Sequence, residues 1–168
     1  QQLSPQGRLF TIVLILLGVG IATTVISNAF SIIVGPLLWS TLEQRRMQQK
    51  IKDLDRHYIV CGYGRMGRQI VSDLRARREP FIVIDTSPEL EPLLRESETP
   101  YIIGSAMDDE VLLQAGIERA RGIVSALNND ASNVMTVLSA RELNPNIYIV
   151  ARVVRAETES KVRRAGAN

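Results

Sequence analysis

From Leu9 to Leu42 the chain carries no charged residue, an uninterrupted run of 34 positions. A helix needs roughly 20 apolar residues to cross a bilayer core, so this stretch is expected to span a cell membrane (plasma or inner) in contact with lipid. A cleaved signal peptide is disfavoured, because the apolar stretch is too long and only Arg8 stands ahead of it as a positive charge. Arg45, Arg46, Lys50 and Lys52 come directly after the run, and the positive-inside bias puts the C-terminal part in the cytoplasm. Gly18 and Gly20 interrupt the run, and Ser27, Asn28, Ser31, Gly35 and Pro36 make its second half less apolar. That pattern suits a face packed on other helices or lining a wet cavity; a plain anchor is the alternative. One helix cannot enclose a pore, so a channel would require further helices or subunits.

After residue 42 the composition changes. Acidic and basic residues are dense and interspersed, and the net charge of the whole chain is +2, which is no nucleic-acid footprint. One cysteine, Cys61, excludes an intrachain disulfide and any multi-cysteine zinc site, and one histidine, His57, removes most His-based metal and triad schemes. Both read as structural residues at the first strand of the soluble part. Thr41–Asp55, TLEQRRMQQKIKDLD, has no Gly or Pro, and Met47, Ile51 and Leu54 fall at helical spacing. Residues 43–55 are therefore expected to form a helical connector that transmits force, the alternative being a solvated charged tether.

From residue 56 onward, strand-like apolar runs alternate with helical patterns. HYIVCG, PFIVID, YIIG, RGIVSAL and NIYIVARV read as five strands. Between and after them, helices are expected over about 65–77 (buried stripe Met66, Ile70, Leu74), 88–94, 108–115 (closed by Gly116), 131–143 (Val134, Val137 and Leu138 inward, ended by Pro145) and 157–165. The alternation predicts an α/β, Rossmann-like doubly wound parallel sheet. Arg164–Asn168 repeats the helix-closing form of Gln114–Ile117 without a strand behind it, so a sixth strand is expected beyond residue 168. The start, QQLSPQG, is equally abrupt, and the chain reads as a piece of a longer protein.

The segment YIVCGYGRMGR contains Gly62-x-Gly64-x-x-Gly67 between a strand and a helix. Gly62 permits the turn, Gly64 lets backbone approach phosphate, and Gly67 lets helix pack on strand. Tyr63, Arg65 and Met66 fill the loop, and the helix N-terminus offers N–H groups and a positive dipole end. Arg65 either adds a charge-assisted contact or is solvated. Asp85, with Thr86 beside it, ends the second strand 23 residues after Gly62, where an acid accepts hydrogen bonds from ribose hydroxyls and repels a 2′-phosphate. NAD(H) or an adenine mononucleotide (AMP, ADP or ATP) is thereby preferred over NADP. Gly104-Ser105-Ala106 and Leu127-Asn128-Asn129 follow the third and fourth strands at the same sheet edge, as candidates for the adenine and the distal half of the ligand. No Ser/His/Asp or Cys/His set can be assembled around this site, so no catalytic residue and no metal ligand is assigned, and the protein is expected not to be an enzyme.

HYIVCGYGRMGRQIV, FIVID, GSAMDDEVLLQAGIERARGIVSAL and ARELNPNIYIVARV followed by KVRRAGAN together resemble the RCK (regulator of potassium conductance, or Trk N-terminal) domain over residues 56–168. SPQGRLFTIVLILLGVG resembles the segment that comes after the selectivity filter of two-helix potassium channels and runs into their inner pore helix. The resemblance implies an inner helix over residues 1–42, with Gly18 and Gly20 as hinge candidates, a linker over 43–55 and a nucleotide domain over 56–168. It implies further a tetrameric potassium pore whose cytoplasmic domains pair into a gating ring. Two positions depart from the family pattern. Ser105 replaces the Asp that often contacts the adenine amino group, and Ala126, Arg152 and Val154 stand where calcium-gated relatives carry acids. Arg152 serves either a nucleotide phosphate or a plain surface role. Two other functions share the soluble fold: the regulatory domain of a potassium transporter or cation/proton antiporter, and a membrane-anchored NAD-dependent oxidoreductase.

Overall fold

The computed structural model describes residues 17–20 and 46–168. The chain divides into two units, Gln1–Arg46 and Met47–Asn168. In the first, residues 17–20 are helical, Gly18 and Gly20 among them, and the rest of the uncharged run, with its expected membrane span, lies outside the described residues. No helix among the described residues is long and apolar enough to cross a membrane.

The second unit is an all-parallel, five-stranded sheet with the order β3-β2-β1-β4-β5, flanked by helices. Its strands are β1 (Tyr58–Cys61), β2 (Phe81–Asp85), β3 (Tyr101–Ile103), β4 (Gly122–Ser125) and β5 (Tyr148–Ala151). Its helices are α1 (Arg65–Ala76), α2 (Glu91–Glu96), α3 (Asp109–Gln114), α4 (Asp130–Leu143) and α5 (Ala156–Arg164), with 3-10 turns at Pro88–Leu90 and Ile117–Arg119. Central β1 pairs Cys61 with Ile84 on one side and with Ser125 on the other. Strands buried on both faces read as continuous apolar runs, and the two cores sort them by alternation. Ile59, Cys61, Ile82, Ile84, Ile123 and Ile149 face Leu112 of α3, Val137 and Ala140 of α4 and Val162 of α5. Val60, Phe81 and Val83 face Val71 of α1 and Leu94 of α2. Each of these Val, Leu and Ile side chains contributes about 1.5–3 kcal/mol when fully buried.

Two helices present a different face from the one their apolar spacing predicts. In α1, Met66 is 45% exposed and the buried positions are Gly67 and Val71, with Ile70 and Leu74 half-buried. Close approach of Gly67 to the β1 turn sets the rotation of the helix, and Met66, one residue earlier, swings to the sheet edge. In α4, Leu138 is 45% exposed while Asn133, Thr136, Val137 and Ala140 are buried. Polar Asn133 takes an inner position because all its hydrogen bonds are met there.

Residues 46–52 are helical. Ile51 is buried, and Met47 and Leu54 are partly buried against the core that holds α3, α4 and α5. The chain then enters β1 through His57, which is fully buried. Its Nε2 lies 2.8 Å from the carbonyl oxygen of Ala115. An N–H donated from Nε2 satisfies that carbonyl, and burial holds the imidazole below its ordinary pKa of 6.5. Cys61 is also fully buried, which pushes its thiol far above its ordinary value.

Candidate functional site

The chain runs β1 to β2 to β3 on one side of the sheet, then crosses to β4 and β5 on the other. The C-terminal strand ends beside such a switch form a crevice, the usual ligand site of open α/β sheets. Here it is a cavity of about 880 Å³, toward the upper part of the roughly 300–1,000 Å³ range of ligand pockets. Every strand end contributes. The β1–α1 turn supplies Gly64, Arg65 and Met66, the end of β2 Asp85 and Thr86, and the end of β3 Gly104, Ser105 and Ala106. Leu127 and Asn128 come from beyond β4 and Arg152 from beyond β5. Of the residues singled out in the sequence, Gly62, Tyr63 and Gly67 lie behind this surface, and Asn129 caps α4 by accepting from the Ala131 N–H at 2.8 Å.

The three glycines of the loop have different surroundings. Gly62 has φ +93°, and a β-carbon there would sit 3.2 Å from the Ala126 carbonyl oxygen, so backbone conformation and space both favour glycine. A β-carbon on Gly67 would run into the carbonyl oxygen of Gly62 and come within 2.9 Å of its carbonyl carbon. At Gly64 a β-carbon would meet nothing within 4 Å, because that position faces the open cavity. No side chain caps the N-terminus of α1, and the N–H groups of its first turn have no acceptor inside the helix. Tyr63 contributes only backbone to the loop: its ring is buried among Val60, Val71, Phe81, Val83 and Leu94, with the Arg68 guanidinium 5.5 Å from the ring centroid.

Asp85 ties two rims of the cavity together. One carboxylate oxygen accepts the Tyr63 N–H at 2.7 Å and the other the Ser87 N–H at 3.0 Å. An ionised carboxylate has about four acceptor sites, so holding the glycine loop leaves capacity for ligand hydroxyls. Arg65 and Arg152 line the same cavity, and among the described residues neither pairs with a carboxylate. Two unpaired guanidinium groups and an uncapped helix N-terminus give the cavity a cationic side.

The first turns of α4 position the β4 and β5 rims, a role that its hydrophobic spacing does not reveal. Asn133 accepts from Ser125 Oγ at 2.7 Å and from the Leu127 N–H at 3.1 Å, and its Nδ2 donates to the carbonyls of Leu127 (3.1 Å) and Arg152 (2.9 Å). Asp130 accepts from the backbone N–H groups of Val154 (2.7 Å) and Arg155 (3.0 Å). The Val154 hydrogen bond, with those from Arg155 and Thr158 and the Arg155 charge, holds the Asp130 carboxyl below its ordinary pKa against the opposing effect of burial. The sequence shows only that Asp130 and Asn133 are polar residues near the start of α4; their burial appears in the structure. Ala126 is buried and Val154 exposed, and among the described residues no group of three or more His, Cys, Asp and Glu side chains could hold a metal ion.

Residues 58–168 match the family model of the TrkA-N domain. The chain belongs to the TrkA-N domain family. The TrkA-N domain of the inner membrane protein ybaL from Escherichia coli superposes with a TM-score of 0.67 at 32% identity, covering 69% of this chain and 86% of that one. The GsuK channel bound to NAD superposes with a TM-score of 0.65 at 25% identity, covering 99% of this chain and 30% of that one. Potassium channel protein 1 of Methanocaldococcus jannaschii is 38% identical over 164 residues, 96% of this chain and 49% of that protein. The chain thus spans about half the length of that archaeal relative, and its similarity extends upstream of the TrkA-N domain.

Proposed function

We propose that the chain is part of a potassium channel subunit whose cytoplasmic TrkA-N domain binds NAD(H) or an adenine nucleotide and couples its occupancy to a pore. The observation that carries this reading is the cavity at the switch point, where Arg65 and Arg152, without a carboxylate partner among the described residues, an uncapped α1 N-terminus, and Asp85 converge. On this reading the phosphates lie over Gly64 and the start of α1, Arg65 and Arg152 neutralise them, and Asp85 accepts ribose hydroxyls with Thr86 beside it. Met66, Gly104, Ser105 and Ala106 border the base, and Leu127 and Asn128 meet the distal half of the ligand. Gly62, Tyr63 and Gly67 shape the loop from behind. Residues 1–42 form the inner pore helix, hinged at Gly18 and Gly20, and residues 43–55 form the linker. Four copies surround the pore in a plasma or inner membrane, with paired domains in a ring on the cytoplasmic side. Similarity to the archaeal channel protein across nearly the whole chain supports the channel reading.

The output is movement rather than chemistry. His57 and Cys61 are buried in the sheet core away from the cavity, and Asp85, the one carboxylate lining it among the described residues, is held by two backbone N–H groups. A nucleotide then biases the pore only as far as it binds the open-state assembly better than the closed one. Isothermal titration calorimetry with NAD, NADH, AMP, ADP and ATP tests the site. Asp85→Ala, which removes the ribose acceptor and releases the Tyr63 N–H, is expected to weaken binding about tenfold or more. Unchanged affinity would place the ribose elsewhere, no binding of any nucleotide would overturn the sensor, and NADH consumption with a small carbonyl compound would favour an oxidoreductase.

A further inference from the structure

One continuous stretch, residues 104–121, joins the cavity to the segment that leads in from the preceding unit. Its first part lines the cavity through Gly104, Ser105, Ala106 and Met107. Asp108 caps α3 by accepting the Glu110 N–H at 3.1 Å, and Val111 sits so close to Gly104 that a β-carbon there would lie 2.9 Å from its Cγ2. Leu112, Ala115 and Ile117 are fully buried, leaving α3 no slack against the sheet. At its far end Arg119 reaches back 65 residues: Nε donates to the Leu54 carbonyl at 2.7 Å and Nη2 to the Ile51 carbonyl at 3.0 Å. The Arg119 carbonyl accepts the Arg56 N–H at 3.0 Å, and the Arg121 N–H donates to the His57 carbonyl at 2.8 Å.

Ile51 lies in the last turn of the connector helix and Leu54 two residues beyond it; the Ile51 carbonyl accepts the Leu54 N–H at 3.2 Å and has a second lone pair to offer, at the negative end of the helix dipole. A guanidinium there bonds both carbonyls with a pre-organised fork. We propose that Arg119 is the latch through which α3 passes the occupancy of the cavity to the connector helix, an inference that rests on reading the cavity as a nucleotide site. Ligand contacts that shift residues 104–107 must move α3 as a body, because close-packed side chains do not absorb displacement gradually. The Arg119 hydrogen bonds carry that shift to residues 51–54, which pack on the same face of the sheet as α3. Arg119 is itself exposed, so water replaces its bonds when it is lost and the domain remains folded.

Hydrogen exchange of peptides covering residues 46–56, measured by mass spectrometry on the full-length protein in detergent with and without saturating ADP or NAD, tests the latch. Calorimetry on the same samples reports binding independently. In the unmodified protein, nucleotide is expected to change exchange in this segment about threefold or more, the scale of a local opening equilibrium shifted by one or two hydrogen bonds. Arg119→Ala should leave affinity within about twofold, as expected for a residue with no ligand contact, and weaken the response, since only the Arg56–Arg119 backbone bond and the packing of Ile51 remain to carry it. Arg119→Lys, which keeps one donor, should restore part of it. Binding without a connector response in the unmodified protein, or an undiminished response in Arg119→Ala, would overturn the latch alone. Absence of binding by either nucleotide would overturn the latch together with the nucleotide reading.

Discussion

Replacing Gly67 with alanine puts a methyl group where the Gly62 carbonyl already stands, and the obstacle is backbone on both sides of the contact. The helix must lift from the β1 turn, loosening Val71 against its core. Overpacking costs about 1–3 kcal/mol, with rigid backbone partners placing this site at the upper end. With a urea dependence of about 2 kcal/mol per M, a loss of about 3 kcal/mol lowers the unfolding midpoint by about 1.5 M. The contrast is Gly64→Ala, three residues earlier in the same loop. Its φ is −74° and ψ −161°, extended backbone open to any residue, and its β-carbon meets empty space. That variant should keep or slightly raise the midpoint, since alanine restricts the unfolded chain, yet lose nucleotide affinity because the methyl group would occupy the path of the phosphates in the proposed site. Urea unfolding followed by circular dichroism, paired with calorimetry, separates the two. A Gly67→Ala protein as stable as its parent would refute the packing argument, and full affinity in Gly64→Ala would remove phosphate from that part of the cavity.

Asn133→Asp keeps the acceptor for Leu127 but turns a carboxylate toward the carbonyls of Leu127 and Arg152, so a loss of about 3 kcal/mol or more is expected in urea unfolding, with weaker nucleotide binding; a midpoint unchanged from the parent would contradict the role given to this side chain. His57 is held below its ordinary pKa of 6.5 by burial, so the unfolded state takes up the proton first and stability present above that pH falls as the pH drops below about 6.5. His57→Gln, which retains an N–H for the Ala115 carbonyl and does not titrate, should flatten that part of the urea-midpoint profile, and an equally steep profile would show that other groups set it.

Much of the domain can be read without its structure. The apolar runs of β1, β2 and β4 are strands buried on both faces, while edge strand β5 exposes Tyr148 and Val150, and the alternation with helices produces the parallel sheet that is observed. The glycine spacing and Asp85 also predict that a turn, a helix start and an acid meet at one sheet edge, because the two strands that carry them are neighbours. Met66 and Leu138 mark the limit of periodicity: apolar spacing identifies a helix, but the rotation of that helix depends on what it touches. For α1 this is the Gly62 carbonyl, and for α4 it is the hydrogen-bonding set of Asn133.

Local chemistry along the chain determined the element types, their order and the glycine-loop pattern, since each depends on neighbours within a few residues. Tertiary structure alone decided that Asp85 holds the Tyr63 N–H, 22 residues away, that Asn133 joins Leu127 to Arg152, and that Arg119 closes on Ile51 and Leu54. Such partners are polar groups with many possible mates in the unfolded chain. Only the closing of the sheet, driven by burial of its isoleucines and valines, brings one mate of each within hydrogen-bonding distance.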